Sequence, residues 1–334
     1  MTVPIRFRTP RLLACACSTA LAIATLATPL AAQEMKVWRH GILEAKSDAG
    51  FIMMADKGGF AQKRGLKIET SQMKAGATVM KALIAGELDS VEMGAAEAIV
   101  AAARGADVKI VGCTWPGLPQ VVLSKATIAT PGDLKGKTIA ISAPGSLPDL
   151  LARAVLDAYK MTADDVKFAS LGADLDRYKS MVAGISDAAV VSNEFQAIMP
   201  KEFKVLVNGH AAVPNFIRLC LTVNGKVLAE RREDAAKFLA AEIEAMRYSI
   251  GHRAEVAKLT RETSGAKADD PRPEFIFDQA IADKQVDPDL DIPAAKIDWM
   301  QAQFVKSGVL PRAVETARII DPELRTKALA LVGR

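Results

Sequence analysis

From residue 35 to 113 the chain alternates short strand-like runs with helix-spaced stretches, and the same alternation starts again before residue 210. Met35–Ile42 is a short apolar run. Phe51, Met54, Ala55 and Phe60 then keep helical spacing until Gly65, a residue type that accepts the left-handed backbone of a helix end. Leu66–Thr70 alternates apolar with polar. Val79, Leu83 and Ile84 mark the next helix, closed by Gly86, and Leu88–Gly94, Ala95–Arg104 and Val108–Cys113 continue as strand, helix and strand. That order builds a mostly parallel sheet with helices on its faces.

The second round opens on the turn-rich Pro131–Lys137 and the strand Thr138–Ser142. In the predicted helix Pro148–Lys160, Leu150, Ala154 and Ala158 form one stripe and Leu151, Val155 and Tyr159 the next, a continuous core-facing side. Val166–Ser170, a helix around Arg177–Val182, and strands Ala188–Val191 and Phe203–Val207 complete the second unit. The strand Ile217–Val223 follows, and then helical patterns over Glu230–His252, Arg253–Thr263, Pro273–Asp283, Ala294–Ser307 and Pro322–Leu331. At 334 residues the chain is long enough for about two domains. The expected architecture is α/β with two lobes. Residues 33–123 plus 216–334 form a discontinuous first lobe with a helical C-terminal tail, and residues 124–215 form the second. Two crossovers, near Val121–Ala126 and Ala211–Phe216, would make a hinge of the kind that serves domain closure.

The front of the chain carries a different message. Residues 1–11 are basic, Leu12–Leu26 is apolar and uncharged, and Pro29–Ala32 ends in small residues, the order of a secretory signal peptide cleaved after Ala32. Its apolar stretch is shorter than the ~20 residues needed to span a bilayer. Of 43 basic side chains, three (Arg6, Arg8 and Arg11) leave with it, so 40 remain against 39 acidic ones. That balance gives no reason to expect a nucleic-acid partner. Half the residues are hydrophobic, which excludes intrinsic disorder. Cys15 and Cys17 also leave. Cys113 and Cys220 remain in apolar runs, where two unpaired buried thiols are the favoured reading and one bridge the alternative.

Four segments carry a family resemblance. Ala55–Leu66 (ADKGGFAQKRGL), Leu83–Asp89 (LIAGELD), Asp133–Ala140 (DLKGKTIA) and Gly184–Ala189 (GISDAA) occur in the right order behind an export signal. Together they resemble the substrate-binding proteins of the nitrate, sulfonate and taurine group of ABC importers, a group with relatives that bind thiamine-precursor pyrimidines. The resemblance covers residues 35–225 well. It implies a type II periplasmic binding fold, no catalysis, no cofactor or metal, a periplasmic location, and delivery of a small organic solute (a sulfonate, an organic acid or a heterocycle) to an inner-membrane ABC permease. A monomer is expected.

In open α/β sheets ligands bind beyond the carboxyl ends of strands, near helix amino ends. Here the rule selects the loops Glu44–Gly50, Lys74–Thr78, Gly94–Glu97, Ala143–Ser146 and Asn193–Phe195. From them, with the strand ends beside them, come the candidate ligand-binding residues Lys46, Ser47, Gly76, Ala77, Thr78, Ala95, Glu97, Ser142, Gly145, Ser146, Asn193 and Glu194. Ser146 and Asp149 have capping-box spacing, so that loop also reads as a well-capped helix start whose Asp149 would compete for the same amides. Trp115, beside the hinge, can stack on a flat ligand or pack in the core. Glu97 and Glu194, on opposite lobes, disfavour a simple anion unless Lys46, Lys74 or Arg177 offsets them, which leaves a hydrogen-bond-donating ligand open. Taken singly, each charge reads as solvated surface.

Two rival functions share parts of this pattern. An exported receptor for a sensor kinase or a non-ABC permease would have the same fold. An enzyme is disfavoured, because His40, His210 and His252 are scattered and no nucleophile elbow, P-loop or dinucleotide fingerprint is present.

Overall fold

Among the described residues, the ten strands are β1 (Lys36–Leu43), β2 (Leu66–Met73), β3 (Ser90–Gly94), β4 (Val108–Trp115), β5 (Gln120–Lys125), β6 (Thr138–Ile141), β7 (Lys167–Ser170), β8 (Ala188–Ser192), β9 (Phe203–Asn208) and β10 (Leu219–Asn224). The computed structural model describes residues 1–4 and 34–333, so most of the expected signal segment lies outside the described residues. The strands form two five-stranded sheets, ordered β2-β1-β3-β10-β4 and β7-β6-β8-β5-β9. All five residues of β3 and of β8 are buried, as befits central strands covered on both faces. Gly65 and Gly86 end their helical segments in left-handed conformations, φ 74° and 79°, as their sequence positions predict.

Each sheet contains one antiparallel strand, a feature that the simple alternation does not anticipate. β10 pairs antiparallel with both β3 and β4, and β5 with both β8 and β9. The cause is where each strand begins. Leu219 lies opposite Gly94 and Trp115, the carboxyl ends of β3 and β4, and Gln120 lies opposite Ser192, the carboxyl end of β8. A strand that arrives from the other sheet at its neighbours' carboxyl ends must run against them. The first crossing is therefore residues 116–119, between β4 and β5, and not Val121–Ala126, which belongs almost wholly to β5. The expected boundary at residue 123 falls inside that strand. The second crossing runs between Asn208 and Leu219.

Cys113 and Cys220 are joined by a disulfide with a sequence separation of 107, which corrects the unpaired-thiol reading. Both cysteines do lie buried in apolar strands, but burial alone does not reveal that β4 and β10 are adjacent.

The helical third covers the first sheet. The expected helix Glu230–His252 breaks at Arg231, and its main part, Arg232–Ser249, buries Phe238, Leu239, Ile243 and Met246. Each such side chain contributes about 1.5–3 kcal/mol by leaving water. Phe238 stacks on Trp38 of β1 with centroids 5.0 Å apart. The helix Ala294–Lys306 reaches the second unit, where Lys306 meets Asp157 of the helix Leu147–Ala158 at 2.8 Å.

Candidate functional site

At the carboxyl ends of the two sheets lies a cavity of about 40 Å³, lined by Lys46, Asp48, Gln120, Asp174, Ser192, Glu194, Arg218 and Ile276. An outer groove of about 300 Å³ shares Lys46, Asp174 and Glu194 and adds Ala45, Ser47, Leu175, Phe195 and Arg272. Lys46 and Asp48 follow β1, Asp174 follows β7, Ser192 ends β8 and Glu194 follows it, and Gln120 and Arg218 stand at the start of the two antiparallel strands. The topology thus converges charged side chains from both sheets on one point.

The charges are arranged in pairs. Lys46 Nζ donates to Asp174 Oδ2 at 2.9 Å, linking the first unit to the second. Burial pulls the Lys46 ammonium down, but Asp174 more than offsets this and holds it raised. Asp174 also pairs with Arg177, and the two cations outweigh its burial and keep it below the usual carboxylate range. Arg218 donates to Asp48 and lies over the Trp115 ring, 4.5 Å from its centroid. Its Nη1 is buried without a partner, as is Gln120 Oε1. Among the described residues Glu194 has no cation at salt-bridge distance; burial pushes its carboxyl up, against a hydrogen bond from Ser47. Arg272, the further cation of the groove, is engaged by Asp270.

Below this floor, Glu92 of β3 accepts a hydrogen bond from Thr114 and is wholly buried, which raises it to about 7. Glu242 on the helix Arg232–Ser249 is buried near it and is pushed well up by that burial and by Glu92.

The structure brings together Lys46, Ser47 and Glu194 from the sequence-selected residues. Asn193 is buried next to them, and its Oδ1 has no partner. A second group forms where the helices Gly76–Ala85 and Ala95–Ala103 begin. Glu97 lies so close that a Cβ on Gly94 would fall 2.2 Å from Oε2, and one on Gly76 would fall 3.1 Å from Oε1. Glu97 therefore occupies the space an anion would want at these helix starts, and burial pushes its carboxyl up. Ala95 is fully buried, whereas Ala77 and Thr78 are exposed.

Two expectations change. Trp115 is fully buried, packed edge-on against Phe51 and covered by Arg218, so it serves packing and leaves no face for a ligand. In the Ser142–Ser146 loop the Gly145 amide donates to Asp149 Oδ2 at 2.7 Å, and Ser146 Oγ accepts from the Ala143 and Asp149 amides. The loop is closed on itself and is not part of the cavity wall. Asp149→Ala is expected to cost about 1 kcal/mol, the usual value of a lost cap, read as a small fall in the urea midpoint.

Asp48, Gln120, Asp174, Ser192 and Arg218 line the cavity without being singled out by the sequence. The carboxyl-end rule passes over Gln120 and Arg218 because they stand at the amino ends of antiparallel strands. A further depression of about 220 Å³ between the helices Leu147–Ala158 and Ala294–Lys306 shows no comparable convergence of unpaired polar atoms.

The fold and the site can now be set beside known proteins. No curated protein matches the sequence. Among solved structures, the periplasmic aliphatic sulphonate binding protein SsuA from Escherichia coli is 21% identical, with a TM-score of 0.71 over 86% of this chain and 92% of that one. The alkanesulfonate-binding protein SsuA from Xanthomonas axonopodis pv. citri, bound to MOPS, is 21% identical, with a TM-score of 0.69 over 86% and 99%. The desulfurization enzyme DSZB is 13% identical, with a TM-score of 0.66 over 89% and 99%. At these identities the likeness is one of fold, that of two-lobed periplasmic binding proteins. The family model described as NMT1/THI5 like matches residues 46–256, more than half the chain and every lining residue of the cavity from Lys46 to Arg218. The chain belongs to the NMT1/THI5-like family.

Proposed function

We propose that this protein is the periplasmic solute-binding component of an ABC-type importer, capturing one small organic solute between its two sheets by hinge closure. The observation that carries this reading is the cavity at the carboxyl ends of both sheets, walled by side chains from each and bridged by the Lys46–Asp174 pair. Among the described residues, two crossings join the strands of the two sheets, at residues 116–119 and between Asn208 and Leu219, which suits rotation about a double hinge. The sulfonate-binding names of structural neighbours support a transport role, with an inner-membrane permease as partner and the periplasm as location. DSZB shows that the fold also hosts an enzyme. Here Cys113 and Cys220 are bonded to each other, so neither offers a free thiol for covalent chemistry.

The test is a solute screen on the mature protein by thermal shift, followed by small-angle scattering on any hit. A cognate solute at about 100 times its Kd should stabilise by about 2.7 kcal/mol and reduce the radius of gyration. A library of sulfonates, organic acids and heterocycles that moves neither quantity would sink the proposal.

A further inference from the structure

Two residues that line the cavity from different sheets each carry a polar atom buried without a partner among the described residues. Arg218 Nη1 is a donor with nothing to receive its hydrogen, and Gln120 Oε1 is an acceptor with nothing to fill it. Buried polar atoms are normally satisfied, so a matched donor and acceptor left open at one cavity describe the complement of what enters it. That complement is a carbonyl oxygen beside an N–H.

The charges around the two atoms point the same way. Arg218 is paired with Asp48, and Lys46 and Arg177 share Asp174. The third carboxylate, Glu194, has no cation at salt-bridge distance. With three cations beside three carboxylates, a sulfonate or carboxylate entering here finds no cation left over. An ammonium would meet the open N–H edge of Arg218. A neutral group with both hydrogen-bonding senses meets neither obstacle.

Resting on the solute-binding reading above, we infer that the cavity takes the neutral head of a carboxamide-, lactam- or ureide-type solute, with Arg218 holding its carbonyl and Gln120 its N–H. At about 40 Å³ the cavity accommodates a polar head and no more, and the solute's body continues into the outer groove between Ala45 and Phe195. This assignment separates the protein from its sulfonate-binding structural neighbours by charge.

Matched probes on one scaffold test it. Benzamide, benzenesulfonate and benzylamine, and the corresponding butyl trio, are titrated calorimetrically into the mature wild-type protein at pH 7. The amide of at least one trio is expected to bind at least tenfold tighter than its sulfonate and its amine. Arg218→Lys keeps a cation against Asp48 but lacks the guanidinium fork, and should weaken amide binding at least tenfold. Gln120→Leu should do the same. A sulfonate or amine that binds as tightly as the amide would overturn the assignment and leave the solute-binding reading standing. So would an amide affinity unmoved by both substitutions, or silence from both trios. The solute-binding reading itself stands or falls on the broader screen and the scattering measurement.

Discussion

Replacing both Cys113 and Cys220 with serine is expected to lower the melting temperature by roughly 5–10 °C. The bridge closes a loop of 107 residues that contains the whole second sheet. Long closed loops lose the most entropy in the unfolded chain, and removing such a bridge typically costs about 2–4 kcal/mol. For a chain of this size each kcal/mol is worth about 2–4 °C. The effect should extend to binding. Cys220 fixes the start of β10 against β4, and Arg218 stands two residues before it, so the double variant should also bind solute more weakly. Melting curves with and without a phosphine reductant check the argument. Reductant should lower the wild-type transition toward that of the variant and leave the variant unmoved. A variant that melts with the wild type would show that strand pairing alone holds β10 in place.

How much of this is legible in the sequence depends on the range of the interaction. The helix ends at Gly65 and Gly86, the strands of both units and the stripes of the helix Leu147–Ala158 follow from neighbours within about ten residues, and these are readable. The place of β10 between β3 and β4 is not, because pairing across more than a hundred residues leaves no local trace. The disulfide is hidden for the same reason. The site divides along the same line. Lys46, Ser47 and Glu194, which line the cavity or its outer groove, follow parallel strands, where the carboxyl-end rule looks. Arg218 pairs with Asp48 at a separation of 170 residues and Lys46 with Asp174 at 128. Arg218 and Gln120 each begin an antiparallel strand, whose amino end is the one that faces the cleft. Trp115 misleads because proximity to a crossing does not reveal which way a ring points.

Glu242→Gln is expected to stabilise the protein by about 1–3 kcal/mol at pH 8 and to leave it nearly unchanged at pH 4. Glu242 and Glu92 are both buried in the first unit, and Glu92 opposes the ionisation of Glu242. Burial raises Glu92 to about 7 and Glu242 well above the ordinary carboxyl value, whereas in the unfolded chain such groups titrate near 4.3. A carboxyl raised in the folded state keeps its proton where the unfolded chain has released it. Stability is therefore full below about pH 4 and is lost as pH rises from there through 7. A tenfold difference in acidity between the folded and unfolded chains corresponds to about 1.36 kcal/mol, and a neutral isostere at position 242 removes the charge without opening a cavity. His40 slopes the other way: burial lowers it to about 3, so it withdraws stability as pH falls below about 6.5. Both proteins share His40, so its contribution cancels in the difference. Urea midpoints at pH 4, 6.5 and 8 measure that difference, and parallel profiles for the two proteins would refute it. The pair also reaches the cleft, because Asp48 and Arg218 lie close enough to Glu92 to shift it. An ionised Glu92 repels Asp48, the carboxylate that holds Arg218 in position. Solute affinity in the wild type should accordingly fall between pH 6 and 8.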